Sequence, residues 1–259
     1  MVAGCQVTPM NTRILPLLVA ILPLGAAQAA NITWTTSPGV NDTEVSTTGT
    51  QLFGYYFSSN GGKAPVMTVN SVPFTLQTGV AAPASLNFNG SFNNPEEVDG
   101  YQVPLTASNT GLNDILDGQN WGTAAPLTVS GLTEGQAYEL QFMVSDDRGQ
   151  FLGRNYDVSD SNDPEGLRDV ERAYHATRGG GVPAGAPAGS VEAKIFTGTF
   201  TAGTGGTQDV YSWLYESADH TGGNSGSQVN AIQVRLVPEP TAIALALGVA
   251  GLLALRRRR

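Results

Sequence analysis

Between Tyr138 and Ser145 the chain alternates. Tyr138, Leu140, Phe142 and Val144 fall on one face of an extended backbone, and Glu139 and Gln141 fall on the other. This pattern predicts a half-buried strand. Similar short runs occur at Ile32–Thr36, Glu44–Thr48, Leu52–Ser58, Val66–Asn70, Val72–Leu76, Leu127–Val129, Lys194–Thr201, Val210–Tyr215 and Gln228–Leu236. Turn residues separate them: Asn60-Gly61-Gly62, the hexapeptide Gly131–Gln136, and Gly203, Gly205 and Gly206. Leu112–Leu116 predicts a single helical turn. About ten short strands with turns between them predict an all-β fold, a single antiparallel β-sandwich of jelly-roll type.

Two stretches interrupt this rhythm. Asn87 to Thr110 is polar and carries the turn signals Asn93-Asn94-Pro95 and Asp99-Gly100. Asp146 to Arg172 is the most polar part of the body, with Asp157, Asp160, Asp163, Glu165, Arg168 and Arg172 among its charges. It is expected to be a solvated loop with internal Asp–Arg pairs. Asp157-x-Ser159-x-Ser161 lacks the residues an EF-hand calcium loop needs, so no metal is expected there. Gly179–Ser190, rich in Gly, Ala and Pro, reads as a flexible excursion.

The two ends follow a different pattern. Arg13 precedes an apolar run, Ile14–Leu24, and Ala27-Gln28-Ala29 offers a small-x-small cleavage site before Ala30. Residues 1–29 are therefore expected to form a signal peptide, with Met10 a better start than Met1. Cys5, the single cysteine, lies in that leader, so the exported body has no disulfide and no thiolate metal site. At the other end, Val237-Pro238-Glu239-Pro240 precedes an uncharged run, Thr241–Leu255. Arg256, Arg257, Arg258 and Arg259 follow it. Two prolines two residues apart stop both strand and helix. Fifteen residues make about 22 Å of helix against a hydrocarbon core of about 30 Å, so the run spans with help from flanking residues and snorkelling arginine stems. The arginines are expected on the cytoplasmic side.

In this order, the Pro-Glu-Pro triplet, the short Ala/Leu/Gly-rich helix and the arginine cluster resemble a PEP-CTERM sorting signal over residues 237–259. The resemblance implies that an exosortase-type membrane protease recognises Pro238, Glu239 and Pro240 and removes the helix after export. Those residues are then features of a substrate, not catalytic groups of this chain. The resemblance implies anchoring at the cytoplasmic membrane before processing, then display at the cell surface or in the extracellular matrix. Ahead of the tail, Glu44–Thr50, Val69–Thr75, Gly131–Tyr138, Ser145–Arg148, Gly198–Ala202 and Asn230–Arg235 resemble, in that order, the β-sandwich ectodomains that precede such tails in exopolysaccharide-producing bacteria. The ectodomain is expected over residues 30–236.

Charge and candidate chemistry narrow the function. Without Arg13, the terminal arginines and Glu239, eight basic and 21 acidic residues remain, a net charge of −13. That acidity argues against nucleic acid and anionic lipid as partners of the body. No G-x-S-x-G elbow occurs, and neither His175 nor His220 has a helix-spaced partner for zinc. The paired carboxylates Glu96/Glu97 and Asp146/Asp147 are sequence neighbours, which says nothing of the across-sugar placement that glycosidases use. No catalytic residues and no cofactor are expected. Two functions remain: a structural surface or matrix protein, and a carbohydrate-binding module. The second would use exposed aromatic rings, with Trp121, Trp213, Tyr101 and Tyr174 as candidates; core packing is the other use of each ring. A glycoside hydrolase stands third.

Overall fold

The protein is described by a computed structural model covering residues 32–78, 83–88, 94–97, 110–122, 126–145, 155–160, 170–174, 193–215 and 224–238. The described residues form an all-β, sandwich-like fold of fifteen strands, with a short helix on its outside.

One sheet has seven strands in the order β1-β12-β9-β15-β2-β4-β3. These are β1 (Thr33–Ser37), β12 (Ala193–Thr201), β9 (Ala137–Ser145), β15 (Ala231–Leu236), β2 (Thr50–Phe57), β4 (Val72–Gln77) and β3 (Val66–Val69). The other sheet runs β11 (Val170–Tyr174), β10 (Asn155–Ser159), β13 (Thr207–Tyr215), β14 (Asn224–Val229), β7 (Gly118–Gly122) and β6 (Asn94–Glu97). The first half of β13 also pairs with β8 (Leu127–Ser130), and β8 with β5 (Leu86–Asn87). Among the described residues the pairings are antiparallel except one. Strands β2 and β4 run parallel, with Tyr55 opposite Thr75, which corrects the purely antiparallel expectation. Strand β3 makes the exception workable. The chain leaves β2 through Asn60–Gly62, forms β3, and reverses at Asn70-Ser71. Both of these residues have positive φ, 48° and 65°. A two-residue turn with that backbone matches the strand twist, and it returns β4 beside β2.

The main core lies between the sheets. Leu140, Phe142, Val144, Phe196, Ile232 and Val234 come from the seven-stranded sheet, and Leu127, Val129, Tyr156, Val158, Val210 and Val229 from the other. Each fully buried large apolar side chain contributes about 1.5–3 kcal/mol. The predicted inner face of β9 is the observed one. The hexapeptide Gly131–Gln136 does link strands, but β8 and β9 lie in different sheets, so it is a crossing between layers and not a hairpin.

A second, smaller core covers the outer face of the seven-stranded sheet. Helix α1 (Thr110–Leu116) places Leu112, Ile115 and Leu116 against Tyr56, Phe74, Met143 and Ile195. It is two turns long, longer than the single turn predicted. Its first backbone N–H groups are held from a distance: Asp42 Oδ2 accepts from Gly111 N at 3.2 Å and Oδ1 from Leu112 N at 2.9 Å. This satisfies donors that a helix start leaves orphaned.

Three further expectations are corrected. Glu44–Thr48 is not a strand. A 3₁₀ turn (Asp42–Glu44) leads into a strap bound to the sheet by side chains. The polar segment 146–172 is not wholly a solvated loop. Tyr156 and Val158 of β10 are core residues, and Asp157 is fully buried. The run Gln228–Leu236 is two strands, β14 and β15, in different sheets, with the corner at Asn230.

Candidate functional site

The four aromatic candidates have separate fates. Trp121 is the exposed residue of β7, 37 % accessible, while Gly118, Gln119, Asn120 and Gly122 around it are buried. It is held between Gln228 of β14 and Asn94 of β6 in register. Close backbone approach keeps this part of the sheet tight: a Cβ on Gly226, whose φ is 136°, would lie 2.4 Å from the carbonyl oxygen of Gly122. An indole displayed from a rigid strand gives a flat apolar face and an N–H at its rim.

Trp213 is packed, with 5 % of its surface accessible. It stacks on Tyr211, two residues away on β13, with ring centroids 5.6 Å apart and planes 13° from parallel. Asp157 sits opposite it in register on β10. That ring is used inside the protein. Tyr174 pairs with Asn155 through its backbone at the end of β11, and its side chain lies outside the described residues. Tyr101 also lies outside them. Sheet order puts Trp121 and Trp213 two strands apart with β14 between, but they form no shared platform, because one is displayed and the other packed.

The C-terminal exit is built with care. Strand β15 is interior, paired on both sides by β9 and β2. Its pairing ends at Leu236, Val237 N donates to Ala137 O at 2.9 Å, and Pro238 is exposed. The sorting residues Glu239 and Pro240, the run 241–255 and Arg256, Arg257, Arg258 and Arg259 lie outside the described residues. Among the described residues no helix is long and apolar enough to cross a membrane.

Beside this exit the structure shows a polar ladder that pattern analysis did not find. Gln141, Gln233 and Arg235 point from the outer face of the sheet into the strap at residues 44–49. Gln141 Oε1 accepts from Ser46 N at 2.8 Å and from Gln233 Nε2 at 2.6 Å. Gln141 Nε2 donates to Glu44 O at 2.9 Å. Arg235 donates to the carbonyls of Thr48, Thr47 and Gly49 at 2.6, 3.1 and 3.1 Å. Burial lowers the pKa of the Arg235 guanidinium, and Glu139, its cross-strand neighbour, opposes that shift. Glu44 moves the other way. Burial raises its carboxyl above the ordinary range, against backbone N–H donors that include Val40 N at 3.0 Å. Alternation placed Gln141 on the polar face correctly, but no local signal shows that a strap covers that face.

A second polar knot sits at the corner. Asn230 Oδ1 accepts from Ser145 N at 2.8 Å, and Nδ2 donates to Leu116 O and Gly118 O, both at 2.9 Å. Gln228 donates to Ser145 O at 2.8 Å and accepts from the Tyr156 hydroxyl at 2.6 Å. The chemistry of both clusters is architectural: they join backbone segments. Among the described residues no group of three or more His, Cys, Asp or Glu side chains is placed to hold a metal. His175 and His220 lie outside the described residues.

No family model and no curated protein matches this chain. Among solved structures it is similar to a Bacteroides uniformis beta-glucuronidase at 11 % identity and a TM-score of 0.39. It is also similar to a calcium-binding mutant of Bacteroides uniformis beta-glucuronidase 2 at 8 % identity and a TM-score of 0.36. Each match covers 72 % of this chain and 18 % of the other, so the chain corresponds to less than a fifth of those proteins' length.

Proposed function

We propose that this chain is an exported, non-catalytic surface or matrix protein whose address is its PEP-CTERM tail. The observation that carries the reading is the exit. The last strand of the body ends at Leu236, and Pro238 is already exposed. A membrane protease acting at the triplet would therefore remove no strand and break no core contact of the described body. The two-sheet fold is read as jelly-roll-like, with one parallel pair.

The test is cell fractionation in a host with an exosortase-type protease. The parent chain should lose its C-terminal helix and leave the cytoplasmic membrane. A variant carrying Pro238→Ala, Glu239→Ala and Pro240→Ala should stay there at full length. Full-length parent protein in the cytoplasm would overturn the proposal.

The exposure of Trp121 favours a second reading, a carbohydrate-binding module for extracellular polysaccharide. Affinity electrophoresis through gels holding a panel of neutral and acidic glycans tests it. Retardation by one glycan, lost in folded Trp121→Ala, supports binding; free migration on every gel removes it. Turnover of any glycan by the purified body would instead revive the glycosidase reading.

A further inference from the structure

Between β2 and β3 the chain turns at Asn60-Gly61-Gly62, and all three residues are exposed. The backbone closes a β-turn, with Lys63 N donating to Asn60 O at 3.2 Å. Asn60 N donates to Ser58 Oγ at 2.9 Å, which fixes the residue at the turn entrance. The carboxamide is folded back on the same turn: Asn60 Oδ1 accepts from Gly62 N at 2.9 Å. Such an Asx turn lays the carboxamide along the Gly61 peptide. The Gly62 N–H polarises that carbonyl and stabilises negative charge that develops on Oδ1. A side chain at the next position would shield the peptide nitrogen. Gly61 has none, and a Cβ built on it meets nothing within 4 Å.

We propose that Asn60 is a site of spontaneous covalent modification, deamidating through a cyclic imide formed with Gly61. The Gly61 nitrogen gives its proton to hydroxide and attacks Asn60 Cγ. The new N–Cγ bond forms, the Cγ–Nδ2 bond breaks, and ammonia leaves with a proton from water, which returns the hydroxide. Water then opens the imide at one of its two carbonyls. Opening at Cγ leaves an aspartyl residue; opening at the backbone carbonyl leaves an isoaspartyl residue, with the chain routed through Cβ and Cγ. Water is the only reactant consumed. Either product puts a negative charge three positions before Lys63, whose ammonium pairs with Asp117 at 2.5 Å and ties this turn to the residue before β7. The isoaspartyl product also lengthens the turn by one backbone carbon.

The fold protects two other dipeptides with the same chemistry. Asn70-Ser71 sits in the next turn, but Asn70 Nδ2 donates to Val45 O at 2.7 Å, and Ser71 carries a side chain. Asp117-Gly118 is locked by packing. A Cβ on Gly118 would stand 2.3 Å from Phe57 O, and Asn230 Nδ2 holds the Gly118 carbonyl at 2.9 Å. Closing an imide there requires the Gly118 peptide to rotate against that wall.

The test incubates the purified protein in warm, mildly alkaline buffer. Its proteolytic peptides are then read by mass spectrometry with fragmentation that separates aspartyl from isoaspartyl. The peptide spanning Asn60 should gain the mass that separates a carboxyl from a carboxamide, at a rate that rises with hydroxide. Peptides holding Asn70-Ser71 and Asp117-Gly118 should stay unchanged over that time, and should react when the same incubation is run in urea. Gly61→Ala should slow the reaction at Asn60 severalfold and leave the unfolding midpoint in place, because its Cβ enters open space. An Asn60 that survives in the folded protein yet deamidates in urea overturns the proposal, since the turn would then protect it. An unchanged rate in Gly61→Ala overturns it as well.

Discussion

Replacing Asn230 by Ala tests whether the corner between the sheets is held by one carboxamide. The side chain is fully buried and joins three backbone segments: the Ser145 N–H at the end of β9, the Leu116 carbonyl at the end of α1, and the Gly118 carbonyl at the start of β7. The substitution strands one donor and two acceptors. Each buried polar group left without a partner costs about 1–3 kcal/mol, and local relaxation recovers part of the total. We expect a loss of about 3–5 kcal/mol in urea unfolding of the protein, with an unchanged m-value. That is a large share of the roughly 5–15 kcal/mol typical of a domain. Asn230→Asp keeps an acceptor for Ser145 but faces the Leu116 and Gly118 carbonyl oxygens with a carboxylate. It should be at least as damaging at pH 7 and partly relieved in acid, where a protonated carboxyl can donate. Hydrogen exchange at Ser145 should accelerate in Asn230→Ala. A loss below about 1 kcal/mol at constant m would refute the reasoning, because the stranded groups would then have found other partners at little cost.

Gly49→Ala should cost about 2–4 kcal/mol in the same assay, since φ is 68° and the new Cβ would stand 2.0 Å from the Leu236 carbonyl oxygen. Arg235→Lys should release the strap at residues 44–49, seen as faster exchange of the Ser46 amide. One ammonium cannot reproduce the guanidinium's planar fork on three carbonyls. Folding binds the Glu44 proton more tightly, because burial raises its carboxyl pKa. The associated stability is present below the unfolded carboxyl value and is lost as pH rises through the higher folded one. Unfolding midpoints across that acid window should show this step in the parent protein and lack it in Glu44→Gln.

The elements that could be read from the chain are those whose evidence is local. The alternation at 138–145 specifies a strand and its inner face, because a pleat sends successive side chains to opposite sides. The expected leader and sorting tail rest on equally local signals, apolar length, a proline break and terminal arginines, and they lie outside the described residues apart from Val237 and Pro238. What could not be read is where a face meets something distant. Asp157 looked like a solvated charge, yet it is fully buried on β10. Tyr156 and Val158, which local polarity masked, became core because β10 docks beside β13. Glu44–Thr48 has strand-like residues, but its partners are Gln141, Gln233 and Arg235, some 95 to 190 positions later. Trp121 and Trp213 are indistinguishable as sequence. Register and layer made one a displayed ring and the other a stacked filler. The sequence alone therefore determined secondary structure where periodicity is clean, as in β9. Tertiary structure decided burial, because burial depends on which faces long-range pairing brings together, and no stretch of chain carries that information by itself.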